Sequence, residues 1–395
     1  MKRSVLLGSA LLAPAIALSI HLVTAGGTAA HSGRVVVRRS AVLPHGRLVR
    51  GRLLSGLGRS DVELPLAPNA PLVGNLGPIA TPSRDRRYLA YNTWHWAKAI
   101  DWQRSLNEQG IATGDPLGRP QLHVLDLQDG ADAALDPGSF SVAWRSDGAI
   151  AYARGNPPEY RANMPFESDV VVRRRIGAAP AVWSAAPGRY LVEGWAGTRL
   201  IVRAAAVGGR GALVAFDGVG SERPLVDDAD LIAISPNGAD VLVAESAAEV
   251  AGPAVRLLSV TDGAEEARLE LSAIRDPVTQ TAVTDVVGLG SWQGDRALAA
   301  TSSGLVVFRI SGRHLTLEQV LHVDEASRPG GGFYEPRFAD AAERTIVTWA
   351  DLPPTGGRES AQFICDRYAL TCSESAAVPS TRAPRPVYDP SGGNQ

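Results

Sequence analysis

The stretch Phe140-Ser141-Val142-Ala143-Trp144-Arg145-Ser146-Asp147-Gly148-Ala149-Ile150-Ala151-Tyr152 reads as two short strands around a tight turn. Apolar residues alternate on either side of Arg145 to Gly148, and Asp-Gly supplies the positive-φ corner that a hairpin needs. The pattern returns in Leu231-Ile232-Ala233-Ile234-Ser235-Pro236-Asn237-Gly238-Ala239-Asp240-Val241-Leu242-Val243. Weaker copies run from Ala80 to Tyr91, Val192 to Val202, Leu289 to Ala299 and Arg337 to Val347. Repeats spaced by roughly 40 to 60 residues have the period of propeller blades that carry loop insertions.

A second phrase follows most copies. Leu122 to Gly130, Ala212 to Gly218 and Val255 to Gly263 each carry an alternating strand into Asp-Gly, for which a type I′ turn is expected. Two hairpins per repeat make one four-stranded antiparallel sheet. Such a sheet cannot bury both faces alone and must stack radially on its neighbours. Helical periodicity is confined to Lys98 to Gln109. The expected fold is therefore all-β: a β-propeller of six four-stranded blades over residues 61–378. A seventh, degenerate blade built from residues 33–55 is the alternative.

Phe140 to Tyr152 and Leu231 to Val243 resemble the WD40-like repeat of the TolB-type propeller family, whose blades carry a Trp-Ser-Pro-Asp-Gly-type turn. The resemblance runs from about residue 60 to residue 378. It implies the propeller fold and leaves the ligand open, and four of the six copies depart from the motif.

The bulk numbers agree with a globular protein: 395 residues, 45% hydrophobic, 20% charged. A net charge of −2 lacks the basic excess of a nucleic-acid binder. Lysine occurs only at Lys2 and Lys98 while arginine is abundant, the bias of GC-rich coding such as actinobacterial genomes show. Met1-Lys2-Arg3, the apolar run Val5 to Val23 and the small residues Ala25 to Ala30 have the layout of a secretory signal peptide, 1–30, cut after Ala30. An uncleaved N-terminal anchor is the alternative; after cleavage no other run has membrane-spanning length. The expected location is extracytoplasmic, secreted or associated with the cell envelope.

Residues 31–60 are rich in arginine without an acidic residue. They read either as a stalk toward anionic envelope polymers or as a lead-in whose Val35-Val36-Val37 strand closes the ring by pairing with the last blade. The second reading is the simpler. The tail, 379–395, is rich in Pro, Gly and Ser and is expected to be disordered. Cys365 and Cys372 flank a short turn between two strands, and an exported protein with an even cysteine count is expected to join them in a disulfide.

The search for chemistry finds little. Nucleophile elbow, His-Glu-x-x-His, Cys-x-x-Cys, EF-hand and P-loop patterns do not occur. No two of the seven histidines lie within four residues of each other. The sequence therefore names no catalytic set, metal ligands or cofactor. Arg173-Arg174-Arg175 is read as part of a strand, where alternation splits neighbours between two faces.

One segment stands apart. Trp94, His95, Trp96, Asp101, Trp102 and Arg104 lie in an insertion after the first blade phrase, with three of the eight tryptophans in nine residues. Long connections in compact domains tend to carry function, and tryptophan offers a large face plus an N–H donor. The alternative is that these rings pack on their own blade. A second insertion carries Tyr160 and Arg161 and is expected on the same face. The expectation is an exported, non-enzymatic propeller that binds a protein or an envelope glycan through its loop face. The rival is an enzyme acting on a small molecule or glycan in the central channel, lactonase- or lyase-like.

Overall fold

The computed structural model describes residues 32–38, 52–54, 61–63, 72–73, 80–83, 85, 87–94, 121–126, 128–129, 131–155, 167–204, 211–245, 253–324, 333–351, 359–374 and 380–381. Among the described residues six blades appear in chain order. Blade one pairs Tyr88–Trp94 with Gln121–Asp126 and Asp132–Pro137; its first strand is split into Leu72–Val73 and Ala80–Pro82, both on Tyr88–Trp94. Blade two contains Ser139–Trp144, Ile150–Gly155, Ser168–Arg173 and Ala181–Val182. Blade three contains Tyr190–Ala196, Arg199–Ala204, Ala212–Phe216 and Glu222–Val226. Blade four contains Ala229–Ile234, Asp240–Glu245, Ala254–Ser259 and Glu265–Glu270. Blade five contains Val287–Gln293, Arg296–Thr301, Gly304–Ser311 and His314–Val323. Blade six contains Phe333–Phe338, Thr345–Asp351, Glu359–Asp366 and Thr371–Glu374.

Strand alternation sets up the seams. In blade four, Val241 and Val243 face blade three while Leu242 and Ala244 face blade five. Blades two to five are thus apolar on both faces, and separate clusters fill the seams from one/two to five/six. Fully burying one such Leu, Val or Phe side chain contributes about 1.5 to 3 kcal/mol.

The first strands of successive blades run beside one another from blade one to blade six. They share a device invisible in the sequence. The register slips at Ser141, Glu193 and Ile232 in blades two, three and four, between Val287 and Ser291 in blade five, and between Tyr334 and Arg337 in blade six. A bulge adds local twist and re-aims one side chain. In blade two the re-aimed group reaches the next blade: the Ser141 hydroxyl donates to the Val192 carbonyl at 2.8 Å.

Four expectations are revised. The N-terminal strand, Gly33–Arg38, does pair with the last blade (Val36 opposite Thr371), but its other neighbour is blade five, where Gly33 lies opposite Leu321. Both pairings are parallel, and blades five and six merge through it into one ten-stranded sheet. Arg52–Leu54 pairs instead with Asp61–Glu63, so residues 33–55 make no seventh blade among the described residues. Arg173 ends its strand and Arg174 and Arg175 lie in the turn beyond. The Asp-Gly turns are longer than type I′ hairpins: the Ser259 N–H donates to the Ala264 carbonyl across Asp262 and Gly263, and Gly220 rather than Gly218 takes positive φ.

The disulfide expectation agrees with the structure. Cys365 and Cys372 stand directly opposite in the last hairpin, with Cα atoms 3.9 Å apart and their sulfurs bonded. In the tail, Ser380–Thr381 forms a short strand on Glu359–Ser360. The 1–30 leader, the Lys98–Gln109 helix and the rest of the tail lie outside the described residues.

Candidate functional site

Antiparallel blades give the molecule two ends. The first-to-second and third-to-fourth turns emerge at one end, the second-to-third connections at the other. At the first end the repeated phrase closes on itself. Ser83 donates from its hydroxyl to Asp85 at 2.5 Å and accepts the Tyr88 N–H. Ser235 does the same with Asn237 and the Asp240 N–H. In blade six Asp340 takes the N–H groups of Arg344 and Thr345. Blades three and five use tight hairpins instead, with positive φ at Gly197 and Gly294.

The aromatic residue of the phrase is a spacer between blades. Tyr88 stacks on Trp144 with centroids 6.0 Å apart. The Trp195 indole N–H donates to the Ala143 carbonyl, and the Arg145 guanidinium lies 4.8 Å from the Trp195 ring. A Cβ on Gly194 would come within 2.6 Å of Ile234 Cδ1. The groups that made this phrase conspicuous are therefore used up in blade-to-blade packing.

The opposite end is built differently. Its connections join Trp94 to Gln121, Gly155 to Ser168, Ala204 to Ala212, Glu245 to Ala254, Thr301 to Gly304 and Asp351 to Glu359. The tryptophan-rich insertion and the one bearing Tyr160 and Arg161 therefore leave the same end. Trp94 is the last residue of its strand, opposite Leu72. His95, Trp96, Asp101, Trp102, Arg104, Tyr160 and Arg161 lie outside the described residues.

Sequence reading missed several charged groups that distant strands bring together. Arg203, buried between blades three and four, donates to the bulge residue Glu193 at 2.7 Å and to Asp230 at 2.8 Å. Arg256 joins Glu245 to Glu265, and Arg268 joins Glu245 to Glu270. Asp136 binds Arg173 at 2.7 Å and accepts the Tyr152 hydroxyl; burial pushes that phenol above its ordinary range. Apart from Arg268 and Glu270, which share a strand, local spacing does not signal these sets, because their members sit on different strands.

His322 is the one buried histidine partnered by a buried carboxylate among the described residues. Its Nδ1 lies 2.7 Å from Asp276 and its Nε2 3.5 Å from Asp324. Burial opposes the Asp276 charge, but the Thr279 N–H, His322 and the Val278 N–H outweigh it and hold the carboxyl below its usual range. Both ring nitrogens thus face carboxylates. Other shifted carboxylates are mostly held down as well. Arg87 leads the causes for Asp126 and Arg145 for Asp147; for Glu318, Arg296 and Arg367 overcome burial. Asp240 alone among them is raised, by burial and then by Glu266. Among the described residues no group of three or more His, Cys, Asp or Glu is placed to hold a metal.

No family model matches the chain, and no curated protein matches it. It is similar to several solved β-propellers at low identity. The β-propeller domain of the Trilobed protease from Pyrococcus furiosus is 11% identical, with TM-score 0.42, over 78% of this chain and 83% of that one. TolB from Acinetobacter baumannii is 11% identical, with TM-score 0.40, over 77% and 79%. Oligogalacturonate lyase, in complex with manganese, is 12% identical, with TM-score 0.46, over 78% and 79%.

Proposed function

We propose that this chain is an exported, non-enzymatic propeller that binds a protein or a cell-envelope glycan through the end bearing its second-to-third strand connections. The observation that carries this reading is the unlike construction of the two ends. One end spends its polar and aromatic groups on its own turns and seams. At the other, blade one leaves at Trp94 and returns only at Gln121, and blade two leaves at Gly155 and returns at Ser168. Connections of that length in a compact domain are commonly functional. Trp94, His95, Trp96, Asp101, Trp102 and Arg104, with Tyr160 and Arg161, would form the contact lip. The joined Cys365 and Cys372 support an oxidising compartment.

The test is to capture a partner from envelope extract with the exported protein, then repeat the capture with Trp96→Ala and Trp102→Ala. An interface tryptophan costs about 2 kcal/mol or more of binding when truncated, roughly thirtyfold in affinity. The expected result is lost capture with an unchanged melting temperature. A large fall in melting temperature with capture intact would show that the rings support their own blade and would retire this reading.

A further inference from the structure

The N-terminal strand is held by two blades at once. On the blade-five side the Ser32 hydroxyl accepts the Val320 N–H at 2.8 Å, and Arg34 Nε lies 3.3 Å from the Asp324 carboxylate. On the blade-six side the Val36 N–H donates to the Leu370 carbonyl at 2.9 Å, and Val37 stands opposite Cys372. The strand Thr371–Glu374 thus lies between two neighbours: Glu359–Asp366 and the N-terminal strand. Its tie to the first is covalent, through Cys365 and Cys372. Both cysteines are sealed from solvent, at 1% and 0% exposure, and Val35, at 3%, belongs to the same apolar cluster.

The cystine joins residues only seven apart. It cannot tie distant parts of the ring together; its effect is to fix the last hairpin, the edge on which the N-terminal strand docks. We propose that the cystine and the N-terminal strand form one coupled latch: the docked strand shields the disulfide from dithiol reductants, and the disulfide holds the edge that the strand requires. At equilibrium the coupling is reciprocal: whatever the cystine adds to docking of the strand, docking adds to the stability of the cystine. In the reductive step a thiolate of the dithiol attacks one cystine sulfur and the S–S bond breaks, leaving a mixed disulfide. The reductant's second thiol then resolves it. Two electrons and two protons pass to Cys365 and Cys372, and the reductant leaves as its cyclic disulfide.

Two measurements on the full exported chain test the latch. Native-state reduction by dithiothreitol, followed by alkylation of the new thiols, should run about tenfold faster in Val35→Asp, because the strand opens more often. Ser32→Ala with Arg34→Ala, which introduces no buried charge, should raise the rate in the same direction. In Cys365→Ser/Cys372→Ser, exchange of the Val36 amide should quicken about tenfold while the Val202 and Val214 amides of blade three keep their protection. Should that double variant lose blade-three protection too, wild type reduced in place is compared with oxidised wild type at the same amides. A reduction rate unchanged in both strand variants, or Val36 exchange unaffected by losing the disulfide, overturns the proposal.

Discussion

The seam between blades four and five and the seam between blades five and six do the same job by different means. In the first, Leu242, Ala244, Val255 and Leu257 meet Ala297, Ala299, Val306 and Phe308, and Leu271, Ile274, Val283 and Val286 close the outer end. In the second, the apolar cluster around Phe338, Ile346 and Phe363 is joined by the buried guanidinium of Arg367. That group donates to Glu318 at 2.8 Å and to the Glu343 carbonyl at 2.6 Å, while Arg296 bridges Glu318 and Glu343. Gln319 adds a bond to the Arg367 carbonyl, and the N-terminal strand crosses the outer edge. Apolar contact has no direction and tolerates sliding. A buried ion pair is worth little net, but its fixed geometry punishes any other register.

The comparison breaks first at Phe308. Phe308→Ala should cost about 3 to 5 kcal/mol in denaturant unfolding, since nothing polar can refill the hole. Arg367→Ala should cost about 3 kcal/mol or more, because it empties a fully buried site and removes the donor to the Glu343 carbonyl, whereas Arg367→Met should recover over half of that loss by refilling the volume. If the methionine variant is as unstable as the alanine variant, packing volume and charge pairing have been ranked wrongly here. Loss of the disulfide in Cys365→Ser/Cys372→Ser should cost about 2 to 3 kcal/mol for so short a loop.

Acid should separate the two seams. Arg296 and Arg367, against the opposing effect of burial, hold Glu318 below its ordinary value of 4.5. A depressed carboxyl stabilises the fold above that ordinary value, and the contribution disappears as pH falls through the depressed one. Amides of Thr345–Asp351 should therefore lose exchange protection below about pH 4.5, before those of Asp240–Glu245 do. Loss at both seams together would show that the charged network adds nothing local.

The smallest effect belongs to the two/three seam, an intermediate case. Burial and then Glu222 push the Tyr190 phenol up to about 12. A raised phenol stabilises below its ordinary value of 10.0 and loses that contribution as pH climbs toward the folded-state value. Tyr190→Phe should cost about 1 kcal/mol at neutral pH and flatten the alkaline limb of the stability curve between these values.

Local rules carried much of this protein in the sequence itself. Alternating apolar residues and Ser/Asp/Asn-Gly corners depend only on neighbours a few positions away, so Phe140 to Tyr152 and Leu231 to Val243 disclosed their hairpins and the blade period. The spacing of Cys365 and Cys372 disclosed their hairpin partner for the same reason. Tryptophan density also marked the segment after Trp94, although the partner it would meet leaves no trace in local pattern. What only the tertiary structure decided depends on pairs far apart in the chain. The bulges at Ser141, Glu193 and Ile232 arise because first strands must converge and twist around the axis. The side chains of Arg203, Arg367 and His322 meet carboxylates 10 to 49 positions away in the chain. The N-terminal strand docks between blades five and six, where Val35 joins the apolar cluster that those two blades share.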